Sequence, residues 1–150
     1  MLSAIMPPAH VFVGLRAADK AKLLAELARR ASAVLGLPAG EIAAALTARE
    51  ALGSTGVGGG IAVPHAQVPA LGGTAAFLAR LDRPVEYAAI DARPVDLVFL
   101  LLGPPVARAE HLAALAAATR RLRDPALAAA LRSAAGAEAL RAAFIAELAG

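Results

Sequence analysis

Between Gly53 and Gln67 the chain reads GSTGVGGGIAVPHAQ, in which five glycines, two hydroxyl side chains and a proline lead to one histidine, His65. A neutral imidazole is a competent nucleophile near neutral pH, because its ordinary pKa is about 6.5, and a phosphoryl group taken onto it is easily passed on. Glycine-rich backbone can turn its N–H groups toward an anion. Ser54 and Thr55 supply hydroxyls and Gly56 and Gly58 unobstructed amides, so the stretch has the composition of a phosphate cradle, with rigid Pro64 presenting His65. A glycine-rich turn whose histidine merely caps the next strand has the same composition.

Two further groups suit the same chemistry. Arg49 falls at helical spacing from Ile42 and Leu46, on the inward face and just before the glycine loop, where a guanidinium can grip two phosphoryl oxygens. The plainer reading is a cation at a helix C-terminus, worth about 0.3–1 kcal/mol. Glu110 and His111 open a helix that follows the most apolar strand, and a helix N-terminus at a strand end suits an anion. His111 can then face His65; otherwise it is a partly buried polar residue starting an amphipathic helix.

Competing chemistries fail on residue type. No Lys-Ser/Thr pair follows the glycines as a Walker loop requires, Ile61 and Val63 stand where a dinucleotide fingerprint needs glycine, and Leu52 stands where a serine-hydrolase elbow does. With no cysteine in the chain, thiol chemistry and disulfides are excluded. His65, His111 and Glu110 can be imagined around a metal, but Ala107 breaks the HxxEH spacing and no HExxH occurs, so no metal or other cofactor is expected. His10, in a proline-flanked stretch, is expected to be solvated.

Elements must bring these groups together. Leu23, Leu24, Leu27, Ala31, Val34 and Leu35 mark a helix capped by Asp19 and stopped at Gly36; a second helix is expected from Pro38, ended by Gly53. Gly60–Val63 and Thr74–Leu81 read as strands, with Asp82–Pro84 as a turn before a short segment Val85–Tyr87. VDLVFLLL from Val95 reads as a central strand covered on both faces. Arg108–Leu122 follows as a helix with Leu112, Leu115, Thr119 and Leu122 on one stripe, and Pro125 and Gly136 punctuate two shorter helices. The expectation is one α/β domain over residues 1–150, with a mixed central β-sheet flanked by helices on both faces.

The 150 residues suffice for one core, and aromatic residues at 3% leave it to small aliphatic side chains. The net charge of +3 raises the question of nucleic acid, but the basic residues alternate with Asp19, Glu26 and Asp124 and lack stacking aromatics, so solvated helix faces are expected instead. The N-terminus lacks a basic start and is broken by Pro7 and Pro8, a poor secretory signal, and the apolar run from Val95 falls far short of the ~20 residues that span a bilayer. A cytoplasmic protein without membrane insertion is the expectation.

The segments REALGSTGVGGGIAVPHA, DARPVDLVFLLLGPP and EHLAALAAATRRLRDPALAAAL resemble the enzyme IIA domain of the fructose and mannitol type of the bacterial phosphoenolpyruvate-dependent phosphotransferase system. The resemblance spans essentially the whole chain. Its nitrogen-regulatory branch is the most similar, through PPAHVFVGLRAADKAKLLAELA, LGSTG and AIDARPVDLVF. The resemblance implies that His65 is phosphorylated at Nε2 by an HPr-like carrier, that Arg49 holds the phosphoryl oxygens with Ser54 and Thr55 beside it, and that His111, supported by Glu110, stabilises the phosphorylated centre. It implies as partners that donor and either regulated target proteins or a IIB domain; a non-catalytic anion-binding module is the blander alternative. Departures from the family pattern are Gly59 where many members have Asn, Gln67 where a basic residue or glycine is frequent, and Ala92 where glycine is usual.

Overall fold

A computed structural model describes residues 2–146. Short α1 (Leu2–Ile5) and a 3-10 turn (Pro8–His10) precede β1 (Val11–Leu15), which the sequence reading missed. Helix α2 (Lys20–Leu35) begins where the Asp19 carboxylate accepts the N–H of Lys22 and ends with Gly36 at φ 73°, the left-handed position that glycine adopts without strain. Helix α3 (Ala39–Glu50) is followed by the strands β2 (Gly56–Gly58), β3 (Ile61–Ala62) and β4 (His65–Gln67), then by β5 (Ala75–Val85) and β6 (Val95–Gly103). Three helices close the chain: α4 (Arg108–Leu122), α5 (Pro125–Ser133) and α6 (Ala137–Ile145).

The sheet is mixed, in the order β1-β5-β6-β3-β2 with β4 also on β6. β6 lies antiparallel to β5 and parallel to β3 and β4. Its side chains alternate between two cores, as a doubly covered strand requires. Val98, Leu100 and Leu102 meet Leu23, Leu27, Ile42 and Leu46 from α2 and α3, whereas Leu97, Phe99 and Leu101 meet Ala118, Leu131, Leu140 and Phe144 from α4, α5 and α6.

Three expectations about elements change. Asp82–Pro84 do not break β5: the register with β6 slips between Arg80 and Val85, and the turn-type residues sit in that irregularity while the strand continues. The buried stripe of α4 is His111, Ala118 and Leu122, and Leu112 is half exposed, so the inward face is rotated from the leucine stripe. His10 is not solvated. It is 7% exposed, stacks on Phe77 at 4.3 Å between centroids, and its Nδ1 lies 2.9 Å from the Ala76 carbonyl oxygen, because β5 arrives beside it from far along the chain.

The loop before β6 folds back on the β2–β3 hairpin. Ile90 N–H donates to the Gly56 carbonyl and Gly59 N–H to Asp91 Oδ2, at 3.1 and 2.9 Å. Ala92 holds φ 60°, a conformation that costs a residue with a Cβ on the order of 1–3 kcal/mol and that explains why glycine suits this position.

Candidate functional site

The last turn of α3 points at β4. Gly53, at φ 149°, carries the chain out of the helix region, and its carbonyl accepts a hydrogen bond from Arg49 Nη1 at 3.0 Å. The same guanidinium directs its Nε–H at His65 Nε2, 3.2 Å away. On the other side of the ring, His65 Nδ1 donates to the Val63 carbonyl at 2.9 Å. These two contacts define the tautomer: the proton is on Nδ1 and the lone pair on Nε2.

His65 pairs with Leu101 of β6, on the side of the sheet that α4 covers. There His111, in the first turn of α4, is 6% exposed, and its ring lies 5.7 Å from that of His65, edge to face at 61°. Gly103 leaves room for it, since a Cβ there would stand 3.4 Å from His111 Nδ1. Burial is the main cause that keeps both imidazoles below their ordinary pKa. At His65 the Val63 carbonyl and Glu50 pull upward while Arg49 pulls further down; at His111, His65 and Arg108 add to the lowering. Both rings are therefore neutral at pH 7, and Nε2 of His65 is available as a nucleophile. The site opens into a groove of about 490 Å³, flanked by the exposed apolar side chains of Leu52 and Leu112.

Arg49, His65 and His111 are thus brought together, and the other expected phosphate-binding residues are not. The Ser54 hydroxyl donates to the Tyr87 carbonyl and accepts the Gly56 N–H, so neither the hydroxyl nor that amide faces the ring. Thr55 is buried and bonded to Glu50 and Tyr87. Gly58 lies across the hairpin, in a separate groove with Asp91 and Arg93. Glu110 is exposed and lines a cleft with Leu2 and Ile5 of α1 instead of supporting His111. For Ser54, Thr55 and Gly56 the reason is that the glycine loop spends these donors on partners within the fold, whereas Glu110 stands on the exposed side of α4.

One residue near the site escaped the sequence reading. Glu50 is 9% exposed, ion-paired with Lys20 at 2.9 Å, and bonded to both the N–H and the hydroxyl of Thr55. The signal was its spacing, four and eight residues after Leu46 and Ile42 on the buried stripe of α3.

Residues 4–147 match the family described as phosphoenolpyruvate-dependent sugar phosphotransferase system, EIIA 2. The chain belongs to this family. The nitrogen regulatory protein of Bradyrhizobium diazoefficiens is 40% identical to this EIIA type-2 chain over 139 residues, spanning 93% of this chain and 91% of that protein. That of Pseudomonas aeruginosa is 38% identical over 140 residues, with the same coverage of 93% and 91%. In three dimensions the nitrogen regulatory protein IIA-Ntr from Neisseria meningitidis superposes with a TM-score of 0.89 at 30% identity, covering 95% of this chain and 97% of that one. The IIA mannitol protein from Escherichia coli shares the fold, with a TM-score of 0.74 at 20% identity over 92% and 97% of the two chains. Among the described residues, no helix is long and apolar enough to cross a membrane.

Proposed function

We propose that this EIIA type-2 protein is a regulatory phosphocarrier of the cytoplasm, which accepts a phosphoryl group on His65 from the phosphohistidine of an HPr-like protein. The lone pair on Nε2 attacks phosphorus, the N–P bond of the donor breaks, and the donor imidazole leaves with the bonding electrons. The Nδ1–H remains on the Val63 carbonyl, which holds the ring while Nε2 acquires its new bond. Arg49 releases Nε2 as it attacks, redirects its Nε–H hydrogen bond to a phosphoryl oxygen, and offsets the negative charge gathering there. His111 presents its ring edge to the same place. The exposed Leu52 and Leu112 give the donor protein an apolar rim to dock on.

The observation that carries this reading is the pair of contacts on one imidazole, 2.9 Å from Nδ1 to Val63 and 3.2 Å from Nε2 to Arg49, which fixes the proton on Nδ1 and turns the Nε2 lone pair toward a guanidinium. The nitrogen-regulatory names of the relatives favour regulation over sugar transport. Incubation with phosphoenolpyruvate, the general phosphotransferase enzyme and an HPr-like protein tests it. Acid-labile label on the wild type, lost in His65→Ala, is the expected result; an unlabelled wild type refutes it. Rapid onward transfer to a fructose- or mannitol-type IIB protein would make the chain a transport relay instead.

A further inference from the structure

The two groups that orient the reacting atoms share one root. Thr55 donates its N–H to Glu50 Oε1 at 3.1 Å and its hydroxyl to Glu50 Oε2. The carbonyl of Thr55 accepts the N–H of Val63 at 3.0 Å, and the carbonyl of Val63 is the acceptor for His65 Nδ1–H. Within the turn that Glu50 and Thr55 close lies Gly53, whose carbonyl accepts a hydrogen bond from Arg49 Nη1. One arm therefore runs from Thr55 through Val63 to the imidazole, and the other through Gly53 to the guanidinium.

A carboxylate in this position is costly. Glu50 is 9% exposed, and burying its charge is compensated by Lys20 at 2.9 Å and by the two Thr55 bonds. Lys20 is itself held 4.4 Å above the Tyr87 ring, and the Tyr87 hydroxyl lies 3.1 Å from Thr55 Oγ1. An apolar residue at the end of α3 would fill the space without that desolvation but would leave Thr55 N–H and the turn unanchored. The geometry points to Glu50, acting through Thr55, as the positioning residue of this site: it sets Arg49 and His65 at their mutual distance and keeps the His65 proton on Nδ1. The inference rests on the phosphocarrier reading and adds the element that tunes it.

Glu50→Gln keeps the shape but turns one acceptor oxygen into a donor facing Thr55 and Lys20; Thr55→Val removes the hydroxyl and keeps the backbone, and Thr55→Ser returns the hydroxyl. Two measurements apply to each folded variant. The rate of His65 phosphorylation against donor concentration is expected to lose kcat by on the order of 10- to 100-fold in Glu50→Gln and Thr55→Val, with KM for the donor held within about twofold and Thr55→Ser close to wild type. Nitrogen chemical shifts of the His65 ring, read without any donor, are expected to move from one tautomer to a mixture. A kcat within about twofold of wild type in both variants, or a change confined to KM, overturns the inference. If Glu50→Gln does not unfold cooperatively, Thr55→Val against Thr55→Ser decides. If the wild type takes no phosphoryl group, the carrier reading fails by itself, and the ring shifts still test the clamp: an unchanged tautomer in both variants overturns it.

Discussion

Mild acid is expected to destabilise this fold through its histidines before its carboxylates titrate. His10, His65 and His111 all lie below the ordinary imidazole value, with burial as the largest cause at each. At His10 the Ala76 carbonyl opposes the shift without cancelling it. The unfolded chain takes up these protons near pH ~6.5 and the folded chain only lower, so between the two values the unfolded state binds more protons and stability falls as the pH is lowered. The contribution is whole above about pH 6.5 and disappears as the pH drops through the folded values. Each such group is worth about 1.4 kcal/mol per pH unit at most, and three would give about 4. His65 and His111, 5.7 Å apart, resist charging together in the folded state, which keeps its proton uptake low, so the first stage of the loss still follows three groups, about 4 kcal/mol per pH unit at most. Against a total stability on the order of 5–15 kcal/mol, that is easily measured. Glu50 enters later: burial pushes its carboxyl up, but hydrogen bonds from Thr55 and Lys20 outweigh that and hold it below the ordinary carboxylate range. Urea midpoints measured from pH ~8 to ~5, with each imidazole followed by proton resonance, give the slope and its owners. A midpoint that stays level from about pH 7 to 5.5 at constant m, or a His10 that titrates at the ordinary value, would refute the reasoning.

Arg49→Lys is expected to slow phosphorylation of His65 by on the order of 10²–10³, because one ammonium cannot reach both His65 Nε2 and the Gly53 carbonyl, while stability stays within about 0.5 kcal/mol. Rapid-quench kinetics beside a thermal melt checks this, and a rate near wild type would remove Arg49 from the site. Gly56→Ala places a Cβ 2.7 Å from Ala89 Cβ and 2.8 Å from Ala89 Cα, so the loop before β6 must move; the expected loss is about 1–3 kcal/mol, seen as several degrees in melting temperature. Gly72→Ala, which meets nothing within 4 Å, should melt as the wild type does.

Local spacing carried much of this structure. Asp19 and Gly36 bound α2, the run from Val95 has its two covered faces, and Arg49, His65 and His111 stand together as their positions in helix and loop suggested. Those features are legible because a cap, an amphipathic stripe or a strand between turn residues is encoded within a few neighbours. What the glycines do was not legible. They looked like free amides for an anion, but Gly56 N–H is taken by Ser54 and Gly59 N–H by Asp91, a partner that arrives 32 residues later. His10 found the Ala76 carbonyl 66 residues away, and Thr55 found Tyr87 at a separation of 32. Which donor meets which acceptor is settled only when distant segments pack, since any exposed polar group is satisfied equally well by water until burial removes that choice. The sequence by itself thus determined the main helices, the central strand and the places of Arg49, His65 and His111 in helix and loop, and tertiary packing decided which polar groups, like those of Glu50 and Thr55, are spent within the fold.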